Sequence, residues 1–266
     1  MTTISKPGIG IRDGTPADTS QLIDLFYEAF AEDAVTSRMH PNGVTTSAKE
    51  KFGLAFSPPG TPSKEPGPGP NGEQRKKPKV IVKVVETLPS DQSSQAGAGE
   101  IIAFSLWTLY NEPREEWDWD MEIVPTVESF GEGVDLEVAN DFIGGLKRKD
   151  RQHLRGDRHL MLNILATSSK HRGLGAGSAL VRWGTEFADK EGLPAFLNAS
   201  PKGYPVYKKA GFEPIDVQDL NLRERWNVAD DGTDWGKHNA VELYGPLAEG
   251  CWRTVVMKKL PRKGKE

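Results

Sequence analysis

Apolar positions along this chain fall into short alternating or continuous runs and into stretches with helical spacing. Ile9–Arg12 reads as a first strand. Thr15, Pro16, Ala17 and Asp18 then read as a helix start, with Thr15 as cap and Pro16 in the first turn. Leu22, Ile23, Leu25, Phe26, Ala29 and Phe30 follow at helical spacing. A weaker helical pattern runs through Thr46–Phe52. Val80–Thr87 and Glu100–Tyr110 are strand-like and flank Leu88–Gly99, as in an antiparallel hairpin with a long tip.

Farther along, Glu112–Asp157 begins acidic and aromatic and ends in a helical pattern carrying Leu136, Val138, Ala139, Phe142, Ile143 and Leu146. Leu160–Thr167 is a near-continuous apolar run, the mark of a buried strand. Gly177–Lys190 is helical, Pro194–Asn198 a strand, and Pro201–Lys209 a short helix stopped by Gly211. Phe212–Val217 and Trp252–Lys258 are the last two strands. Residues 57–79 and 88–99, rich in proline, glycine and small polar residues, read as flexible loops. Residues 218–250 read as an insertion before the last strand. The predicted fold is a single α/β (α+β) domain over residues 1–266, a mixed, mostly antiparallel central sheet flanked by helices.

Composition narrows the function. The 266 residues are 36% hydrophobic and 27% charged, as in globular proteins, with a formal net charge of −4. Its basic residues are scattered, so no nucleic-acid partner is expected. No run approaches the roughly 20 apolar residues of a membrane span. Cys251 is the only cysteine, which excludes an intrachain disulfide and a multi-cysteine metal site. No metal is expected, and a cytoplasmic protein, monomer or homodimer, is the default reading.

The chemistry starts at the loop between the buried strand and the following helix, Arg172-Gly173-Leu174-Gly175-Ala176-Gly177. A helix start presents unpaired backbone N–H groups and partial positive charge, and glycines let an anion approach closely. Phosphate or pyrophosphate binding follows. A Walker A loop needs Gly-Lys-Ser/Thr at its end, and this one reads Ala176-Gly177-Ser178. A dinucleotide fingerprint fits poorly: its sixth position is Ser178 or Leu180, and the loop lies past the middle of the chain.

Arg172-x-x-Gly175-x-Gly177 after a buried strand, followed at the right separation by Tyr207-Lys208-Lys209-Ala210-Gly211-Phe212, resembles the GCN5-related N-acetyltransferase superfamily. The close match spans residues 159–217 and looks most like that superfamily's fungal small-molecule branch. The resemblance implies acetyl-CoA as the acyl donor, with CoA as product. It implies that Leu165, Ala166 and Thr167 present strand backbone to the pantetheine arm. Backbone N–H groups of Arg172, Gly173, Leu174, Gly175, Ala176, Gly177 and Ser178 would cradle the pyrophosphate. Tyr207 matches the tyrosine that supplies a proton to the leaving thiolate, a role a phenol with pKa near ~10 suits. Asn198, at a strand end, is assigned to the cofactor or the acceptor.

The acceptor side is less defined. Met161 and Asn163 share a strand face; Asn163 and Trp107 are the candidate substrate contacts. A general base could come from Glu116, Asp118, Asp120, Glu122 or His159. The expected acceptor is a small-molecule amine. A non-catalytic acyl-CoA-binding sensor and a protein or peptide N-acetyltransferase are the alternatives.

Overall fold

A computed structural model describes residues 8–56, 72–73, 75, 77–88, 99–229 and 232–262. The loops expected at 57–79 and 88–99 lie mostly outside these residues. Strands are β1 Ile9–Asp13, β2 Lys79–Thr87, β3 Ile101–Tyr110, β4 His159–Thr167, β5 Ala195–Ala199, β6 Glu213–Asn221 and β7 Cys251–Lys259. Helices are α1 Thr19–Ala29, α2 Ala34–Met39, α3 Thr46–Gly53, α4 Glu116–Trp119, α5 Val127–Phe130, α6 Leu136–Ala139 and α7 Gly145–Leu154. They continue with α8 Ala176–Glu191, α9 Tyr204–Lys209, α10 Leu222–Trp226 and α11 Val241–Tyr244.

The strands form one sheet in the order β1-β2-β3-β4-β5-β7-β6. Every neighbouring pair is antiparallel except β4 and β5. The α/β fold class read from the sequence is the one observed. Its boundaries differ most at β6. The strand expected to end at Val217 continues to Asn221, because Gln218–Asn221 pair with Thr254–Cys251. The insertion before the last strand is therefore shorter than expected, and it holds α10 and α11.

One face of the sheet carries α8. Leu180, Val181 and Ala188 on that helix are buried, and Val181 and Ala188 join Trp107, Leu160, Leu162, Leu197 and Met257 in the main core. α1 covers the other face, where Leu22 and Leu25 pack with Val84, Phe104 and Ala166. Trp107 has no exposure, and its indole N–H donates to Ser105 Oγ at 3.0 Å. This corrects the assignment of Trp107 to the acceptor: its parity on β3 points it at α8, where it has no face left to offer a ligand.

Two irregularities shape the half of the sheet where β4 and β5 lie. The first is a β-bulge. Leu106 pairs with Ile164 and Trp107 with Leu162, so Asn163 opposes no residue of β3. A bulge puts two successive residues on one face and bends its strand. Leu160 and Leu162 accordingly face α8, whereas Ile164 and Ala166 face α1. The second is a π turn over Asn140–Gly144, which links α6 to α7 in one continuous helical stretch. Such a turn frees carbonyls from the regular ladder. Gln218 on β6 answers it, with Nε2 donating to Asp141 O at 3.0 Å and Phe142 O at 3.2 Å. Gly145 leaves room for that amide: a Cβ there would sit 2.6 Å from Gln218 Oε1, so a larger residue would push the side chain away from these carbonyls.

Trp107 also dictates a residue of α8. A Cβ added to Gly184 would lie 2.1 Å from Trp107 Cζ2. In an exposed helix interior, glycine to alanine is favourable by ~1 kcal/mol. Here the sign should reverse, because overpacking a filled core costs about 1–3 kcal/mol. Gly184→Ala is expected to lower the urea midpoint. Combining it with Trp107→Phe should recover part of the loss relative to the two single variants added together.

Candidate functional site

β4 and β5 are paired only from Leu160 and Ala195 to Leu162 and Leu197. Beyond the bulge β4 runs on to Thr167 and β5 to Ala199 with no further pairing between them. Antiparallel pairing to β3 continues on the other side of β4 as far as Thr167. The strands therefore part like a V, and one backbone edge of β4 over Ile164–Thr167 faces a gap.

The gap opens into a cavity of about 500 Å³. Leu165, Ala166 and Thr167 form one wall, the loop Arg172–Ser178 another, and Ser200–Gly203 with Tyr207 a third. Gly173 and Gly175 have φ of +82° and +86°, and a Cβ at either would meet nothing within 4 Å. The left-handed backbone demands glycine, and the open space in front of it means that an anion can reach the N–H groups. Gly175 caps α8, a helix of 16 residues, whose first-turn N–H groups have no carbonyl partners of their own. Leu174 turns the other way and packs with Val85, Ile102 and Leu180, which pins the loop to the core.

α1 holds the loop from the opposite side. Ser169 N donates to Glu28 Oε1 at 3.0 Å, and Ser169 Oγ bonds the same carboxylate. Arg172 borders the cavity, and its Nη2 donates to Ala29 O at 3.3 Å, where the carbonyl end of α1 favours a cation. A pyrophosphate-bearing carrier fits this arrangement: open glycine backbone, a helix N-terminus, a guanidinium at the rim and an unpaired strand edge. Among the described residues no group of three or more His, Cys, Asp or Glu is placed to hold a metal. No helix among them is long and apolar enough to cross a membrane.

A second cavity of about 350 Å³ adjoins the first. Its wall is largely aromatic and aliphatic: Phe26 from α1 and Phe30 just beyond its end, Phe52 from α3, Phe142 and Ile143 from the π turn, and Met161 from β4. Phe26 stands with its ring centroid 4.3 Å from Phe52 and 4.9 Å from Phe30. Polar groups enter from the sheet. Asn163 Nδ2 donates to Thr108 Oγ1 at 2.6 Å. Asn198 Nδ2 donates to Asp150 Oδ1 at 3.0 Å, while Asn198 Oδ1 and Thr254 Oγ1 are buried with no hydrogen-bond partner.

Phe30, Asp33, Leu165, Ser200, Tyr207 and Trp252 border both cavities, so they line the passage between them. Tyr207 is buried, and its hydroxyl has no hydrogen-bond partner among the described residues. Burial raises the phenol pKa well above its ordinary value, so it stays protonated at any biological pH. Asp33 caps α2, its Oδ1 accepting from Thr36 N at 2.9 Å and Thr36 Oγ1 at 3.0 Å. Burial pushes its carboxyl pKa up, against the opposing pull of those bonds and of Lys202.

The structure thus gathers Leu165, Ala166, Thr167, Arg172, Gly173, Gly175, Ala176, Gly177, Ser178 and Tyr207 around one cavity. It sets Asn198, expected at the cofactor or the acceptor, in the other. None of Glu116, Asp118, Asp120, Glu122 and His159 borders either of these two cavities. Asp118 is engaged by Arg75, and His159 is buried and stacked on Tyr110. Sequence reasoning missed Asp33, although its spacing to Thr36 is a helix-cap signature. Phe26 and Phe30, expected only as part of a helical apolar pattern, also line the second cavity.

A cavity suited to a phosphate-bearing carrier, opening on a second chamber next door, is an arrangement that fits a group transferase. Residues 101–212, from β3 to the turn after α9, match the Acetyltransferase (GNAT) family. Solved structures share the fold. A mosquito arylalkylamine N-acetyltransferase like 5b superposes with a TM-score of 0.53 at 18% identity, over 95% of this chain and 100% of that one. Arylalkylamine N-acetyltransferase 2 from Aedes aegypti gives 0.53 at 11% identity, over 96% and 100%. The C-terminal condensation domain of Ebony, solved with beta-alanyl-dopamine, gives 0.54 at 12% identity, over 96% and 100%.

The buried His159 makes a pH prediction. Its Nδ1–H donates to Asp157 O at 2.6 Å, and burial lowers its pKa to about 4. An unfolded histidine titrates near ~6.5, so between these values the unfolded chain binds a proton that the folded chain refuses. Stability contributed by neutral His159 is therefore present above pH ~6.5 and is lost as pH falls toward 4. His159→Phe is expected to show a smaller drop in melting temperature than the parent on going from pH 7 to pH 5.

Proposed function

We propose that this protein transfers an acetyl group from acetyl-CoA directly to the amine of a small, largely apolar molecule. The observation that carries the reading is the passage at Asp33 and Tyr207, which joins the glycine-loop cavity to the aromatic one. The arylalkylamine N-acetyltransferases that share this fold agree with it.

Leu165–Thr167 and the loop Arg172–Ser178 would hold the cofactor, which supplies a thioester acetyl group and a thiolate leaving group. The chain's own residues do the rest. Phe26, Phe30 and Phe52 bury the apolar body of the acceptor and exclude water. An acceptor amine must be neutral to attack, and Asp33 Oδ is the carboxylate at the passage that can take its proton. A carboxyl raised by burial is better matched to that task near neutral pH than an exposed one. Tyr207 Oη holds a proton at the same passage and can give it up as the thiolate departs, since no protein acceptor competes for it. Asp33 and Tyr207 thus divide base and acid between them. A purely acyl-CoA-sensing protein has no use for that pair.

Three variants test the reading. Gly175→Asp puts a strained residue and a negative charge on the loop, and calorimetry should show acetyl-CoA affinity lost while the fold persists. Undiminished binding would remove the loop from the cofactor site. Asp33→Asn keeps a good helix cap but not a base. Tyr207→Phe keeps the ring but not the proton. Each is expected to cut turnover at saturating cofactor by about 10²-fold or more, with acetyl-CoA binding little changed. Thiol release measured with a panel of neutral arylalkylamines reads the effect, and full activity in either variant would strike that residue from the mechanism.

A further inference from the structure

The acceptor cavity does not end at Asn163. Lys147, Met161 and Asn163 border both it and a third chamber of about 190 Å³, which lies between β4, α7 and the segment that carries α4. Nothing in the transfer reaction uses this chamber, yet it holds two of the chain's buried polar atoms that lack a partner. One is Arg114 Nε and the other is His159 Nε2.

The other charges around it have partners. Asp118 is paired with Arg75 at 3.3 Å, Asp120 with Arg151 at 3.8 Å, and Asp150 with Lys147 at 3.2 Å. Asp150 also accepts from Asn198. Arg155 is exposed and donates to Gln152 O at 3.1 Å. Among the described residues, Arg114 is the half-buried cation of the chamber with no carboxylate partner. Its guanidinium lies 4.1 Å from the Tyr110 ring centroid, and its backbone N–H is fixed to Gly156 O at 2.9 Å. Tyr110 in turn stacks on His159, with centroids 4.5 Å apart. The cation is therefore held in place by a layered stack and not by an anion.

A half-buried guanidinium with no anionic partner is a costly arrangement unless a ligand completes it. Its planar fork is suited to a carboxylate. Lys147, at the neck, can add a second positive charge. His159 donates through Nδ1, which leaves Nε2 as an acceptor for an N–H or O–H of the ligand or of its bound water.

We propose that this chamber is a subsite for a carboxylate at the far end of the acceptor, so that the preferred substrate is an amino acid-like molecule whose amine and carboxylate are separated by an apolar spacer. The spacer lies along Phe26, Phe52 and Met161, the amine reaches the passage at Asp33, and the carboxylate meets Arg114. This assignment rests on the acetyl-transfer reading for the position of the amine, but not for the binding of the anion.

The test compares matched acceptors: para-(aminoethyl)benzoate against para-methylphenethylamine, and aminohexanoate against hexylamine. In the parent protein the carboxylated member of at least one pair should have the higher kcat/KM. Arg114→Met should reduce that preference by about 10-fold or more, the scale of one charge-assisted contact. Arg114→Lys should retain part of it, and Arg114→Gln replaces Arg114→Met if the latter does not fold. Neutral amines acetylated as well as or better than their carboxylated partners in both pairs would overturn the subsite and leave acetyl transfer standing. If no amine is acetylated, acetyl transfer fails instead, and calorimetry of the same pairs with CoA-loaded protein decides the subsite. Carboxylate-dependent binding lost in Arg114→Met supports it, and equal or absent binding refutes it.

Discussion

A parallel pair of strands that stops pairing after three residues is the constraint from which the site is built. Asn163 bulges out of the ladder between β3 and β4, and the bend carries the rest of β4 away from β5. Were the register of Leu162 with Leu197 continued to the end of β5, Asn163 and Ile164 would be taken up by Asn198 and Ala199, and the gap that leads to Leu165–Thr167 would close. The same inserted residue changes the parity of the strand. Leu160 and Leu162 serve the core under α8, while Ile164 and Ala166 serve the core under α1. One residue thus opens the sheet and keeps both of its faces apolar, a solution that regular alternation cannot supply.

The loop, the helix and the passage follow from that opening. The N-terminus of α8 can meet a phosphate only because the strand before it is not covered, and Leu174 fixes the loop while Gly173 and Gly175 leave its N–H groups bare. α1 then does two things at once. Its end is tied to the loop through Glu28 and Ala29, and its outer aromatic residue Phe26, with Phe30 just beyond its end, forms the wall of the neighbouring chamber. Asp33 comes just after α1, so the distance from the glycine loop to its carboxylate is set by the same helix that anchors the loop.

Much of this was legible in the sequence, for local reasons. Leu160–Thr167 and the glycine loop form one contiguous strand, turn and helix, and contiguous patterns survive without knowledge of the fold. Tyr207 was legible because a second motif, ending in Gly211 and Phe212, locates it. Trp107 was misread because alternation along β3 does not say which face meets the ligand; only the packing of Gly184 on α8 settles that. Asn198 stands at the end of β5, but the divergence of β4 decides which of two chambers it enters. Asp33 and Arg114 were not legible as site residues: each is brought to its cavity by contacts between segments far apart in the chain, and neither sits in a motif of its own.

The π turn has a last consequence. Phe142 and Ile143 border the aromatic chamber, yet what fixes them is Gln218, a strand residue behind the helix that borders none of the three chambers. The shape of this chamber is therefore inherited from a side chain that does not line it. Descendants of this chain could change their choice of molecule by drift at position 218 or 145, with every residue in the visible lining preserved, so that two proteins with identical pockets on paper need not select the same partner.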